Sequence, residues 1–372
     1  MSTDPNKNGT LVLRSSNVQN GEISLLDNVY VRSEVAYSQN VDEGDIIVVV
    51  RNGSRSLIGK HATIKNKMIN TVIGAFMTGV KSSQPDFINA LFDSNNFTNQ
   101  VNRNLGATIN QITIGAFKEM NFYFPQEEEK VQIGEFFQNL DQSIALHEKK
   151  LAQTQNFKKA MLEKMFPKQG ILCPEIRLKG FSGDWEERQL KDISFKVLEK
   201  NSEHLYSETF TNSAQFGVIS QRDFFDKDIS NTNNIGGYYV VKDNDFIYNP
   251  RISNFAPVGP VKRNKLGRTG VVSPLYFVFR THDVDHQFLE TYFETSVWHK
   301  FMFLNGDTGA RSDRLAIKDT IFMEMPIYCP SFEEQQKVGQ FFKQLDETIK
   351  LQQQQLQTVK NLKQALLEKM FV

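Results

Sequence analysis

Two histidines with carboxylates between them are the first residues whose spacing could support chemistry. His282 and His286 lie four residues apart, with Asp283 and Asp285 between them, and such a set could bind a metal ion. We interpret it instead as a surface turn that leads into a helix around residues 288–301. The sequence has no glycine-rich phosphate-binding loop and no Gly-x-Ser-x-Gly turn. We therefore predict a protein that is not an enzyme and that uses no metal and no cofactor.

Polar and basic loops are the second group of residues with functional chemistry. Arginine, asparagine and glutamine side chains can read base edges in the major groove of DNA, while lysine and arginine also hold phosphates. A solvated turn is the simpler interpretation of any single loop, but such loops recur in both halves of the chain. The predicted DNA-binding residues are Arg14, Asn17, Arg51, Asn52, Arg55, Arg103, Gln221, Arg222, Arg251, Asn254, Lys262, Arg263, Arg311 and Arg314. Base reading is assigned first to Arg51, Asn52, Arg55, Arg222, Arg251 and Arg311.

An internal repeat indicates which elements position these loops. The final stretch FFKQLDETIKLQQQQLQTVKNLKQALLEKMF restates the earlier FFQNLDQSIALHEKKLAQTQNFKKAMLEKMF without a gap. Gly134 and Gly339 lie 205 residues apart, as do Phe166 and Phe371. Apolar residues recur at alternating spacings of three and four in both copies, which predicts two long helices that pack along their length. The predicted seam consists of Phe137, Leu140, Ile144, Leu151, Met161, Phe342, Leu345, Ile349, Leu356 and Leu366.

The segments before the two helices also repeat, more weakly. The stretch EGDIIVVVRNGSRSLIG is echoed by DNDFIYNPRISNFAPVG, which aligns Asp45 with Asp245 and Arg51 with Arg251. Short β-branched and aromatic runs predict strands there, including strands at residues 120–124 and 325–328 just before the helices. We predict an α+β fold in which two globular domains alternate with two long helices that pair with each other. The predicted boundaries are 1–125 and 169–330 for the domains, and 126–168 and 331–372 for the helices.

Bulk composition excludes several classes of protein. Lysine plus arginine and aspartate plus glutamate both number 43, so any DNA-binding surface must be local. The sequence contains no run of about 20 apolar residues, which is the length that a membrane-spanning helix needs. Cys173 and Cys329 form no metal-binding motif and no disulfide framework. We expect a cytoplasmic protein.

Together these motifs resemble the specificity subunits of type I restriction-modification systems. The resemblance rests on PEIRLKGFSGDWEERQLKDI (Pro174–Ile193, here the Trp185 segment) and on the turn at Gly44–Ile47. It also rests on the polar starts of both helices and on their Leu-Glu-Lys-Met-Phe endings at 162–166 and 367–371. Within the Trp185 segment we expect Asp184 to cap a short helix and the Trp185 ring to be buried.

The resemblance implies that the two globular domains are target-recognition domains and that the two helices form an antiparallel coiled-coil pair. It also implies a mechanism. Each domain would read one half of a bipartite target in double-stranded DNA, and the helix pair would set the spacing between the halves. Two adenine-methylating modification subunits and restriction motor-nuclease subunits would be the partners and would supply all catalysis.

One feature departs from the family pattern. A first copy of the Trp185 segment, 205 residues upstream, would precede Met1, so we expect a shortened first domain. Two alternatives stay open: a protein in which only the second domain reads DNA, and a helical interaction scaffold that reads none.

Overall fold

A computed structural model describes residues 9–19, 21–36, 39–106, 110–168, 170–224, 232–308 and 313–371. The chain forms two compact units, each of which combines a globular part with parts of both long helices. Unit 1 contains Met1–Lys150 and Gln352–Val372, and unit 2 contains Leu151–Leu351. None of the described helices is long and apolar enough to cross a membrane.

Unit 1 combines short strands with three short helices ahead of the first long helix. Its strands are β1 (Thr10–Leu13), β2 (Val18–Gln19), β3 (Glu22–Ile23), β4 (Val29–Val31), β5 (Ile46–Val49), β6 (His61–Thr63), β7 (Thr71–Ile73) and β8 (Met77–Val80). Its helices are α1 (Pro85–Asp93), α2 (Asn95–Asn104), α3 (Ile114–Lys118) and the first part of α4 (Glu127–Lys164). The β-branched run of β5 is buried along its whole length, between β6 and β8 in an antiparallel sheet.

Unit 2 likewise combines short strands and short helices ahead of a long helix, and it has additional strands at its start. Its strands are β9 (Glu186–Gln189), β10 (Ser194–Lys196), β11 (Phe210–Ser213), β12 (Gly217–Ser220), β13 (Tyr239–Val241), β14 (Phe246–Tyr248), β15 (Val261–Arg263), β16 (Gly270–Val272), β17 (Phe277–Thr281) and β18 (Pro326–Cys329). Its helices are α5 (Gln221–Phe224), α6 (His286–Tyr292), α7 (His299–Asn305), α8 (Asp319–Phe322) and the first part of α9 (Phe332–Met370). The α+β class predicted from the sequence is confirmed.

The two units share one sheet motif, which explains the weak sequence repeat. In unit 1 the order is β6-β5-β8, and in unit 2 the equivalent strands follow the order β15-β14-β17. Ile46 starts β5 and Phe246 starts β14, so the motifs lie 200 residues apart along the chain. Both sheets are antiparallel throughout, with the central strand fully buried. The repeat therefore records a duplicated sheet.

The two long helices run antiparallel where they meet within each unit. In unit 1, Lys363 of α9 lies 2.5 Å from Asp141 of α4, and the Phe137 and Phe371 rings pack at 5.9 Å. In unit 2, Lys158 lies 2.6 Å from Asp346, and Phe166 packs on Phe342 at 6.0 Å. All ten predicted seam residues are buried or half-buried. The paired helices are therefore confirmed.

A repeated glycine lets each globular part approach a long helix closely. A methyl group on Gly134 would lie 2.8 Å from the backbone nitrogen of Phe87, which belongs to α1. A methyl group on Gly339 would lie 2.9 Å from the backbone nitrogen of Phe288 in α6. Both distances are shorter than real Cβ contacts, so the close packing requires glycine at both positions.

Three local predictions are wrong. Residues 120–124, predicted as a strand, form none, whereas the strand predicted at 325–328 is present as β18 (Pro326–Cys329). Asp184 caps no helix, because the chain enters β9 at Glu186, where the extended backbone pairs with β18. The expected helix over 288–301 is two helices, since α6 ends at Tyr292 and α7 begins at His299.

Candidate nucleic-acid interface

In unit 1, two of the predicted DNA-binding loops come together beyond the end of β5. The Asn52 side chain donates to the Ser15 hydroxyl (2.9 Å), which ties the loop after β5 to the loop after β1. The backbone N–H of Asn52 donates to the carbonyl of Asn110 (3.2 Å), and the Asn110 side chain donates to the carbonyl of Gly53 (3.0 Å). Three chain segments thus form one polar surface.

Arg51 is the most prominent cation of this surface. Its side chain is exposed, and its guanidinium lies 4.9 Å from the centre of the Phe76 ring. Its backbone pairs with that of Gln111 in an isolated bridge, which fixes the start of the side chain. Arg55 is also exposed, at the start of a short 3-10 helix. A stacked, preoriented guanidinium suits hydrogen bonding to a planar acceptor such as a guanine edge.

In unit 2, the loop after β14 forms the equivalent surface. Arg251 pairs through its backbone with Arg314, as Arg51 pairs with Gln111. The backbone N–H of Arg251 donates to the side chain of Asn249 (3.0 Å), and the N–H of Leu315 donates to the carbonyl of Pro250 (2.9 Å). The interaction of Leu315 repeats that of Ile112 with Val50 (2.8 Å) in unit 1. The duplicated sheet therefore presents an arginine at the same end in both units.

Two arginines on paired backbones create a local excess of positive charge. Like charges directly opposite each other destabilise a strand pair. Among the residues that the structure describes, Asp313 is the carboxylate that pairs with Arg251, at 3.8 Å, and the Arg251 side chain stays 72% exposed. An anion such as a DNA phosphate would offset this repulsion.

The structure corrects two of the predicted DNA-binding residues. The Asn17 side chain is fully buried, and it donates to the carbonyls of Ser24 (2.9 Å) and Asp27 (3.1 Å). The Arg263 guanidinium is held by Glu290 (2.7 Å) and Gln287 (2.8 Å), at the opposite end of β15 from the Arg251 loop. Both side chains stabilise the fold, so they are not available to DNA.

The other predicted residues have more varied surroundings. Arg14 donates to the carboxylate of Asp27 (2.8 Å) and remains partly exposed. Arg103 is exposed at the end of α2, and Asn254 is exposed in the loop after β14. Gln221 and Arg222 start α5, with Gln221 half-buried, and Lys262 is half-buried in β15. Arg311 lies outside the described residues.

A buried carboxylate at the start of each central strand is a site residue that sequence reasoning missed. Asp45 accepts from the backbone N–H of Asp42 (2.9 Å), and Asp245 accepts from that of Lys242 (2.7 Å). Asp245 also accepts two hydrogen bonds from Arg280 at 2.7 and 2.8 Å, which raise the pKa of that arginine. The alignment of Asp45 with Asp245 was the available signal. These aspartates fix the turn from which each arginine-bearing strand departs.

A lysine from each long helix fastens it to the other helix and to the globular part of the same unit. Lys158 lies 2.6 Å from both Asp346 and Glu294 in unit 2. Lys363 lies 2.6 Å from Asp93 and 2.5 Å from Asp141 in unit 1. Burial by itself would lower the pKa of each lysine, but the paired carboxylates outweigh it and raise both pKa values. Each lysine side chain is long enough to contact a carboxylate of the other long helix and a carboxylate of the globular part at the same time. It therefore ties the alignment of the two helices to the position of that globular part.

Comparison with known proteins identifies the family. Residues 2–156 and 182–361 match the family described as the type I restriction modification DNA specificity domain. The match covers most of the chain, so the protein belongs to this family.

Curated relatives and solved structures agree with this assignment. A 129-residue segment is 29% identical to the type I restriction enzyme StySPI specificity subunit of Salmonella potsdam, and the same holds for the EcoKI specificity subunit of Escherichia coli K12. That segment is 33% of this chain and 28% of each relative. The fold resembles the type I restriction-modification S subunit from M. genitalium, with a TM-score of 0.55 and 11% identity over 98% of this chain and 93% of that one. It also resembles a chain from a structure of type I restriction-modification complex assembly, with a TM-score of 0.54 and 16% identity over 99% and 94%.

Proposed function

We propose that the chain is a DNA-recognition subunit that reads a bipartite target, one half with each globular domain. The observation that carries this proposal is the arginine presented at the same end of a duplicated sheet, Arg51 in unit 1 and Arg251 in unit 2. A two-part protein with an arginine-bearing loop on each part suits a target with two half-sites. Direct contacts of this kind discriminate between bases by about 1–3 kcal/mol each.

In this proposal the helix pair holds the domains and spaces the half-sites. The domains comprise residues 1–125 and 169–330, and the helices 126–168 and 331–372. Partners would be two adenine-methylating modification subunits and, for restriction, motor-nuclease subunits. The methyl donor and ATP would bind to those partners, and this chain would contribute no catalytic group. Family membership supports the assignment.

The decisive experiment is methylation in a host that has no adenine methylation of its own. The chain is co-expressed with its cognate modification subunit, and the genome is sequenced for methylated adenine. We expect one bipartite motif. A methylated motif with a single half-site would support reading by the second domain alone. A stable complex without methylation would contradict the proposal and support the scaffold alternative.

The arginines are tested on a duplex that carries the methylated motif. Arg51→Ala and Arg251→Ala should each weaken binding by about 1–3 kcal/mol and relax specificity in one half-site. Arg268→Ala is the matched control, because that guanidinium is already paired with Glu208 at 2.7 Å. Equal losses in all three variants, uniform across duplex sequences, would contradict base reading by Arg51 and Arg251.

One observation favours the alternative in which the second domain alone reads DNA. Among the described residues, unit 1 has no counterpart of β9 and β10, so its sheet is one strand shorter than that of unit 2. In the methylation experiment this alternative predicts a motif that Arg251→Ala alters and Arg51→Ala leaves unchanged.

A further inference from the structure

The shared sheet ends differently in the two units. In unit 2, β10 pairs with the outer edge of β17, from Ser194 opposite Thr281 to Lys196 opposite Phe279. In unit 1, β8 takes the place of β17 and, among the described strands, has a sheet neighbour only on the β5 side. An open edge presents unpaired backbone groups that can accept another strand.

The segment before each long helix differs in the same way. Pro326–Cys329 of unit 2 pairs with β9, and Tyr328 and Cys329 are 2% and 4% exposed. The matching residues of unit 1, Asn121–Phe124, are in no strand of the described chain. Tyr123 is 90% exposed and Phe124 is 53% exposed. Two large aromatic rings therefore face solvent where unit 2 is covered.

Trp185 covers the aromatic core beside β18 in unit 2. Its ring packs at 5.9 Å from Phe166 and at 5.7 Å from Phe288. The matching residues of unit 1 are Phe371 and Phe87, whose rings lie 5.5 Å apart. No described tryptophan reaches them, and the half-exposed Phe124 ring lies over Phe87 at 5.6 Å.

A charged pair marks the same difference. In unit 2, Arg177 of the Trp185 segment donates twice to Glu334, at 2.8 and 2.7 Å, and the Glu334 side chain is 1% exposed. The matching residue of unit 1 is Glu129, which is exposed and has no ion pair with any described side chain. Unit 1 thus offers a carboxylate at the position where unit 2 binds a guanidinium.

We propose that unit 1 binds a second Trp185-like segment supplied from outside these 372 residues. The binding surface, here the acceptor surface, consists of the β8 edge, Asn121–Phe124 and Glu129. Its ligand is an extended polypeptide with an arginine eight residues before a tryptophan, followed by a strand that extends the sheet. Recognition would combine strand addition with burial of one aromatic ring and one ion pair.

Other occupants from this sequence lack the required chemistry. Residues 1–8, MSTDPNKN, contain no aromatic residue and no arginine. A second copy joined through β8 would offer the sequence MTGV, which also has neither. The chain's own Trp185 segment is already used in unit 2. The proposal concerns assembly of unit 1 and holds whether or not that unit reads DNA.

The probe is a fluorescein-labelled peptide of residues 171–196 of this chain, titrated into the full-length protein and followed by anisotropy. We expect saturable binding of one peptide per chain. Hydrogen exchange with bound peptide should show protection at 77–80 and 121–124, with none gained at 277–281 or 326–329. Absence of saturable binding, or protection confined to unit 2, would overturn the proposal.

Charge reversal tests the ion pair. Glu129→Arg should weaken peptide binding at least about tenfold, and a peptide with Arg177→Glu should restore it. Glu128→Arg is the matched control, since Glu128 is also exposed on the same turn of α4. A peptide with Trp185→Ala should bind at least tenfold more weakly, by loss of the buried ring. Equal effects of the two glutamate variants would overturn the proposal. Protection at 77–80 that grows with protein concentration alone would also overturn it, in favour of a dimer.

Discussion

The two units hold their long helices in the same way but cover their cores differently. Each unit places a glycine of one long helix against the start of a short helix, and each uses a lysine to join three elements. The cover, by contrast, consists of Trp185 and two strands in unit 2 and of exposed rings in unit 1. The feature common to both units is therefore their attachment to the helix pair, whereas their covers differ.

The largest expected difference between the units concerns their covers. Trp185→Ala should lower the free energy of unfolding by about 3–5 kcal/mol, because it removes a fully buried ring that packs on Phe166 and Phe288. Phe124→Ala in unit 1 should cost less than about 1 kcal/mol, since that ring is half-exposed. Urea unfolding curves measure both. Equal losses would mean that Phe124 covers unit 1 as fully as Trp185 covers unit 2.

Substitution of the two lysines, in contrast, should lower the free energy of unfolding by similar amounts in both units. Lys158→Met and Lys363→Met each remove the lysine that two partly buried carboxylates share, at a cost of about 2–3 kcal/mol after allowance for solvent exposure. Lys149→Met is the control, because Lys149 is exposed on α4. A loss from only one of the two variants would show that the helix attachments are not equivalent.

The internal repeat made the two long helices and the shared sheet predictable, because matching residues occur in both halves of the sequence. Gly134 and Gly339 are separated by the same 205 residues as Phe166 and Phe371, which predicted two equivalent helices. In the structure both glycines contact the backbone of a short helix. The alignment of Asp45 with Asp245 likewise marked the same turn before two buried strands. Periodicity and repetition can both be read from the sequence itself, without knowledge of the fold.

Other features depend on partners that are distant along the chain. Arg263 directly follows Lys262 in a basic cluster, but its role is set by Glu290, 27 residues later. Met120–Phe124 has the composition of a strand, yet a strand needs a neighbour, and the segment that pairs with Pro326–Cys329 has no described equivalent in unit 1. Asn17 resembles an exposed turn residue, but the loop closes over it. Such outcomes depend on tertiary contacts that a single sequence does not encode locally.

Close packing at the repeated glycines should be equally demanding in both units. Gly134→Ala and Gly339→Ala would each place a methyl group within 3 Å of a backbone nitrogen, at a cost of about 2 kcal/mol. Gly115→Ala is the control, because its nearest neighbour would lie 3.9 Å away. Thermal unfolding measures all three. A neutral result at one repeated glycine would show that the helix contact there can shift without loss.

The smallest expected difference concerns a carboxylate that has an extra partner in unit 1. His61 lies 3.3 Å from Asp93, whereas Val261 occupies the matching position in unit 2, where Glu294 contacts Lys158. Burial would raise the pKa of Asp93, but His61 and Lys363 outweigh it and hold the pKa below its ordinary value of 3.8. The stabilisation from Asp93 is therefore present above about pH 3.8 and is lost as the pH falls through the lowered pKa.

Asp93→Asn should consequently cost about 1 kcal/mol at pH 7 and progressively less below pH 3.8, as the wild-type carboxylate takes up a proton. Glu294→Gln should lower the free energy of unfolding by less at pH 7, because Val261 takes the place of the histidine there. Urea unfolding at pH 7 and near pH 3 compares the two variants with the wild type. A loss from Asp93→Asn that stays constant across this range would mean that its charge does not stabilise unit 1, and that the two units differ in their covers alone.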